Sequence, residues 1–284
     1  MRTLLTGATG FIGKHLVKVW DDQKSPQDEL IALTRRKSEL RGIDGVKIID
    51  SDLEGSIKNR IDFSDVDNVI HLAWDHVHQY KSELHLIQTL GLQIRFLNYL
   101  LENGVNNLTI AGTCFEYGLI EGCLSEKIVT NPVTAYGMAK DVLRKYLFRV
   151  ANESASIKWL RLFYVYGEGQ YEHSLLPSLN RAIQMGNSTF DMSSGDQLRD
   201  FIEVKKVAEI IYKLSKVKVR EIINVGSGEP IAIKEFVVRY LSEVHPESKI
   251  HLNLGAYPYS SDEPRNFWAN LEKMSSQLEV VNEG

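Results

Sequence analysis

Cysteine is scarce: Cys114 and Cys123 are the only two in 284 residues. That excludes a disulfide framework and fits free thiols in a reducing compartment. Long apolar runs are missing too, so no segment reads as a bilayer span. The first strand begins at the start of the chain, which leaves no room for a signal peptide. Nor is there an excess of one charge. Lys and Arg number 33 against 37 Asp and Glu, a formal net charge of -4, and such a surface gives neither nucleic acid nor an anionic membrane a reason to bind. Low-complexity tracts and internal repeats are absent. What remains is a cytoplasmic globular chain long enough to bury a large core.

Apolar runs alternate with amphipathic segments, the pattern of a parallel sheet covered by helices on both faces. The runs predict strands at Thr3 to Thr6, Leu30 to Thr34, Val46 to Asp50, Asn68 to Leu72, Leu108 to Ala111, Lys158 to Leu162 and Glu221 to Val225. Between Ser82 and Asn103, Leu84, Ile87, Leu90, Ile94, Leu97 and Leu101 recur at helical spacing, and Gly104 supplies a stop. They predict one long helix with its stripe toward the core. After Gly167 the pattern becomes irregular, with Gly, Pro, Ser and Tyr clusters between shorter helices, and predicts a smaller lobe facing a substrate.

The opening Arg2-Thr3-Leu4-Leu5-Thr6-Gly7-Ala8-Thr9-Gly10-Phe11-Ile12-Gly13 reads as strand, phosphate turn and helix. Gly7 permits the tight turn, Gly10 lets backbone approach a pyrophosphate, and Gly13 lets the helix pack closely on the strand. Unpaired amides at the helix start then face an anionic dinucleotide. At the end of the second strand the chain reads Leu33-Thr34-Arg35-Arg36-Lys37, with no carboxylate to repel a 2'-phosphate. Arg35 and Arg36 can form charge-assisted hydrogen bonds to that group, which favours NADPH, with NAD(H) the alternative.

Tyr136 and Lys140, in Y-G-M-A-K, fall four apart. On a helix they share a face, where a cation can lower the phenol's pKa toward neutrality and fit it to hand a proton to a carbonyl oxygen. With the glycine-rich opening and with Thr113 ahead of Tyr117-Gly118, the chain resembles the extended short-chain dehydrogenase/reductase family. Within it, the nearest likeness is to the epimerase/dehydratase-like enzymes of nucleotide sugars. The likeness continues through Leu160 to Gly167, Arg199-Asp200-Phe201-Ile202, Asn224-Val225-Gly226 and Asp262-Glu263-Pro264-Arg265.

This resemblance implies an α/β fold: a Rossmann-like doubly wound parallel sheet over residues 1–166, rejoined by 201–228, with a smaller α/β substrate-binding domain over 167–200 and 229–284. It implies a catalytic set of Thr113, Tyr136 and Lys140, the last also holding the nicotinamide ribose. Thr9, Phe11 and Ile12 would join Gly7, Gly10 and Gly13 around the dinucleotide. Asp52 and Leu53 would lie beside the adenine, Leu72, Ala73 and Trp74 would line the cofactor, and Phe163 and Val165 would face it. Arg199 and Arg265 match positions that grip a nucleotide diphosphate, a bidentate task suited to guanidinium. Trp74, His76, Thr113 and Tyr164 would meet the sugar, Tyr164 standing where many relatives have Asn. A homodimer built from two helices per subunit is the family expectation.

Which reaction follows depends on the neighbours of Thr113. Sugar 4,6-dehydratases carry an Asp-Glu pair directly after that Thr, whereas Cys114 and Phe115 stand here and cannot move protons at C5 and C6. The expectation is therefore an NADPH-dependent reductase of an NDP-4-keto-6-deoxyhexose. A 4-epimerase with bound NAD and a nonenzymatic dinucleotide sensor are the alternatives. Asp75, His76 and His78 lack a fourth ligand at recognisable spacing, and no metal site is expected.

Overall fold

The computed structural model describes residues 1–40, 42–260 and 262–283. In its first half, β1 (Arg2–Thr6), α1 (Phe11–Gln23), β2 (Glu29–Thr34), β3 (Val46–Asp50), α2 (Leu53–Lys58), β4 (Asn68–His71), α3 (Leu90–Glu102), β5 (Asn107–Thr113), β6 (Gly122–Leu124), α4 (Ala135–Val150) and β7 (Ser156–Leu162) follow one another. The second half adds β8 (Tyr164–Tyr166), α5 (Leu175–Gln184), β9 (Thr189–Met192), β10 (Leu198–Glu203), α6 (Val204–Lys216) and β11 (Arg220–Val225). It ends with β12 (Pro230–Ala232), α7 (Ile233–Val244), β13 (His251–Leu254), β14 (Phe267–Ala269) and α8 (Glu272–Glu283).

All seven expected strands join one sheet in the order β11-β7-β5-β4-β1-β2-β3, every pair parallel. The strands are apolar in continuous runs because both faces are covered. Leu4 belongs to one core with Phe96 and Leu97 of α3 and Leu143 of α4, while its neighbour Leu5 belongs to another with Leu16 of α1 and Val207 and Ile211 of α6. Each such side chain taken fully from water contributes roughly 1.5–3 kcal/mol. Strand order reverses between β1 and β4, which opens a crevice beyond their carboxyl ends.

The expected helix from Ser82 to Asn103 is divided. Residues His85–Thr89 form a π-helical turn ahead of α3, and Gly104, at φ +86°, ends the helix as expected. His85, Thr89 and Gln93 are buried with Phe96, Leu97 and Leu100, while Ile87 is 75% exposed, so the inward face is not the apolar stripe. Polar side chains can occupy the inner face because His71 and Trp74 offer them hydrogen bonds.

Outside the large sheet, where most of the smaller lobe is expected, stand a three-stranded sheet of β12, β10 and β8 and the pairs β13-β9 and β14-β6. The last helix departs from the expected boundary, which placed all of 229–284 in this lobe. Met274 of α8 joins the core beneath α1 and α6, with Leu271 and Leu278 packed against it, so the chain returns to the large sheet at its end. Among the described residues no helix is long and apolar enough to cross a membrane.

Candidate active site

The glycine-rich turn leaves β1 at Gly7, where φ is +76° and an added Cβ would lie 2.9 Å from the Ala73 nitrogen. A Cβ on Gly13 would lie 2.0 Å from the Gly7 carbonyl oxygen, so helix and strand can approach this closely only through glycine. Gly10 caps α1 with no side-chain cap, and no acidic residue stands in the first turn. The amides and the positive end of the helix dipole are thereby left for an anion. Gly7, Thr9 and Gly10 line a cavity of about 420 Å³ together with Arg35, Arg36, Asp52, Leu53, Leu72, Ala73 and Trp74. This cradle fits the pyrophosphate of a dinucleotide.

Other expected cofactor residues sit behind that surface. Phe11 packs edge-on against His15, Ile12 joins the core, and Phe163 is enclosed between Tyr117 and Phe267. Val165 lines a second cavity, described below. His76, expected against a sugar, lines the first cavity in left-handed backbone at φ 62°. Sequence reasoning missed Asp75, Gln88, Gln93 and Arg95 in this wall. Gln88 lies in the turn before α3 and Gln93 and Arg95 in α3 itself, and no spacing in the sequence marks them.

Arg36 reaches the Thr9 carbonyl at 3.3 Å and Glu39 at 3.4 Å. Arg35 is largely exposed, 4.0 Å from Asp75. The cavity floor is a closed polar network. The Ala73 amide donates to the Thr6 hydroxyl at 3.2 Å, and that hydroxyl donates to His71 Nδ1 at 2.8 Å. His71 Nε2 donates to Gln93 Oε1 at 2.5 Å, and Gln93 donates to the Ala73 carbonyl at 3.0 Å. The network therefore assigns a neutral His71 with its proton on Nε2.

Burial pushes the His71 pKa from 6.5 down to about 4, against the Gln93 hydrogen bond and with the help of the nearby Lys140 charge. The unfolded chain binds a proton between those values that the native chain refuses, so this stability is present above pH 6.5 and lost as pH falls through about 4. About 2.5 units correspond to roughly 3 kcal/mol. Urea denaturation at pH 7 and pH 4.5 should show a smaller acid loss in His71→Asn than in the parent. An equal loss would refute the assignment.

Thr113 ends β5 beside Leu162 of β7 and caps the short turn Cys114–Tyr117, with Glu116 completing a capping box. Tyr136 and Lys140 lie in the first turns of α4, which Thr134 caps through the Gly137 amide. A Cβ on Gly137 would lie 2.6 Å from the Phe115 carbonyl oxygen, so glycine lets the helix press against the turn after Thr113. Glu116 is fully buried and locks this junction. It accepts from the Thr113 amide at 3.0 Å, Trp159 at 2.7 Å, Arg161 at 2.9 Å and Arg144 at 3.2 Å.

The electrostatics reverse one expectation. Burial, and then the charge of Glu116, drives the Tyr136 pKa up, and only the Thr113 hydroxyl opposes this. Lys140 does not pull it down, because its ammonium turns to the Ala111 carbonyl at 2.6 Å and over the Trp74 ring, 3.9 Å from the centroid. Burial also lowers Lys140 to about 7, against Glu116. The pair thus holds its phenol protonated, the state required of a proton donor.

On the other side of the trio, a cavity of about 660 Å³ is lined by Tyr164, Arg199, Glu263 and the stacked rings of Phe201 and Phe236. Arg199 is fully buried. It donates to the carbonyls of Leu198 and Arg265 at 2.9 and 2.8 Å and to Glu263 at 3.1 Å, while its Nε has no partner. Tyr164 donates to the same Glu263 oxygen at 2.6 Å. Arg265 is exposed, its guanidinium 5.4 Å from the Tyr259 ring centre. Of the two arginines only Arg199 enters the cavity.

Comparison with known proteins agrees with this geometry. Over 259 residues the chain is 27% identical to a dTDP-6-deoxy-L-talose 4-dehydrogenase (NAD(+)) of Aggregatibacter actinomycetemcomitans, covering 88% of this chain and 94% of that protein. It is 25% identical over 252 residues to the dTDP-4-dehydro-6-deoxyglucose reductase of Escherichia coli, covering 82% and 79%. The structure of MoeE5 in complex with UDP-glucose and NAD superposes with a TM-score of 0.78 at 26% identity, over 98% of this chain and 92% of that one. Residues 3–226 match the model of the NAD dependent epimerase/dehydratase family, and the chain belongs to that family of nucleotide-sugar-modifying enzymes.

Proposed function

We propose that the chain reduces the 4-keto group of a nucleotide-activated 4-keto-6-deoxyhexose with NADPH, in the making of deoxysugars for surface polysaccharides. One observation carries this reading: the trio Thr113, Tyr136 and Lys140 is assembled with no acid-base pair beside it. The Cys114 thiol, buried, is driven far above its ordinary pKa, and Phe115 presents only a ring to Tyr136. Dehydration has no groups to run on, whereas ketone reduction needs only the trio. The bound nicotinamide would supply the hydride. Tyr136 donates the proton to the C4 oxygen and the Thr113 hydroxyl places that oxygen. Arg199, with an unpaired buried Nε, suits the diphosphate. A 4-dehydrogenase and a 4-ketoreductase run one interconversion in opposite directions, and both appear among the relatives.

Arg35 and Arg36 at the cavity wall, with no carboxylate at the carboxyl end of β2 that leads to them, support NADPH as the preferred donor. The test is loss of reduced-nicotinamide absorbance with a dTDP-4-keto-6-deoxyhexose, NADPH and NADH run in parallel. The expected result is stoichiometric NADPH oxidation, with a preference over NADH that falls by about tenfold or more in Arg35→Ala/Arg36→Ala. No oxidation, with NAD found bound to the purified protein, would sink the reductase and leave a 4-epimerase.

A further inference from the structure

One buried titratable ring at the site has no part in the chemistry above. His85 opens the π-helical turn and is fully enclosed. Its Nδ1 accepts the indole N–H of Trp74 at 3.1 Å, which leaves its proton on Nε2 to be donated to the Gln79 carbonyl at 3.1 Å. The indole held in this way turns its face to Lys140, 3.9 Å from ring centre to Nζ, and stands edge-on to Tyr136 at 5.8 Å and 74°. Leu84 and Ile87, which the apolar spacing places inward, are not buried, and His85 is enclosed with Thr89 and Gln93 in their place.

We propose that His85 is a positioning residue for the proton-transfer pair: through Nδ1 it fixes the Trp74 indole so that its π face keeps Lys140 an ammonium beside Tyr136. The proposal rests on the reading of Tyr136 and Lys140 as the reacting pair.

Lys140 is enclosed and has few partners. Among the described residues its hydrogen bond goes to the Ala111 carbonyl. The titratable groups around it come from four elements: Glu116 from the turn after β5, His71 from β4, His85 from the π turn and Tyr136 from its own helix. Burial, helped by the Lys140 charge, favours the neutral form of both histidines against their hydrogen bonds to Gln93 and Gln79. Glu116 is thus the one full charge of opposite sign, and its oxygens are already engaged by two arginines, an indole and an amide. Of the two aromatic faces toward the cation, the indole at 3.9 Å is far nearer than the Tyr136 ring at 5.9 Å, and a desolvated cation–π contact is strong enough to move its titration by about one pH unit. Space filling alone would be met by any side chain of similar bulk, whereas positioning needs an acceptor where Nδ1 lies.

The test reads Lys140 directly in the free protein. In protein labelled with 15N at lysine Nζ, the Lys140 resonance is identified by its loss in Lys140→Met, and its pH midpoint is compared among variants. We expect His85→Leu to lower the midpoint by about one unit, and His85→Asn, whose amide oxygen can take the indole N–H, to restore most of it. Trp74→Leu should match His85→Leu and carries the test if that variant does not fold. A midpoint unmoved in His85→Leu or Trp74→Leu, or an equal fall in His85→Asn, overturns the proposal. Ketone reduction at pH 8 should follow the same order, about tenfold lower in His85→Leu and rescued in His85→Asn. If the parent reduces no nucleotide sugar, the functional reading falls by that result alone, while the midpoint still decides the role of His85.

Discussion

Tyr136→Phe should lower reduction of the nucleotide-sugar ketone by about a thousandfold while leaving dinucleotide affinity within about twofold. The substitution removes one hydroxyl and keeps the ring, so the edge contacts with Trp74 and Phe115 and the tilted contact with His85 persist. What disappears is the proton that must reach the C4 oxygen as hydride arrives. Because burial holds the phenol protonated, the parent enters each reductive turnover already carrying that proton. Single-turnover NADPH oxidation measures the loss, and a variant keeping a tenth of the parent rate would show that another group protonates the oxygen.

Glu116→Ala should cost about 3–5 kcal/mol of folding stability, the range for breaking a buried ion pair by removing one partner. Its carboxylate stands between Arg161 and Arg144 with no exposure of its own. Arg161 Nη1 already lacks a partner, so the variant would leave a nearly enclosed guanidinium without a counter-charge. The Thr113 amide and the Trp159 indole N–H would lose their acceptor as well. Denaturant titration of parent and variant reads the difference. A change below about 1 kcal/mol would mean that water replaces the carboxylate at little cost.

The sheet was legible in the sequence because parallel strands buried on both faces need unbroken apolar runs, and each of the seven runs found its strand within two residues at either end. The glycines were legible for a stricter reason: at Gly7 and Gly13 no Cβ fits. Less was legible where one residue's geometry depends on distant ones. The inward face of 82–103 is not its apolar stripe, and polar His85 and Gln93 are paired there with Trp74, His71 and the carbonyls of Gln79 and Ala73, which the periodicity of one segment cannot reveal. Four-residue spacing put Tyr136 and Lys140 on one face, but the direction of the ammonium was set by Ala111 and Trp74. Arg199 and Arg265 read alike as motifs. One is enclosed by β10 and its neighbours, and the other lies outside the cavity.

The pairing of β6 with β14 bears on how the chain matures during synthesis. The turn that carries Thr113 leads into β6, which has no strand to lie against until Phe267–Ala269 arrives. Its approach is further held by Asn224, which donates to the Leu124 carbonyl and accepts from Tyr117. The dinucleotide cradle, by contrast, lies at the ends of β1, β2, β3 and β4, all translated within the first quarter of the chain, and its last wall residue is Arg95. A nascent chain stalled before residue 267 would therefore carry a nearly finished cofactor cradle and an unbraced reaction centre. Chemistry is the last property the ribosome confers on this protein.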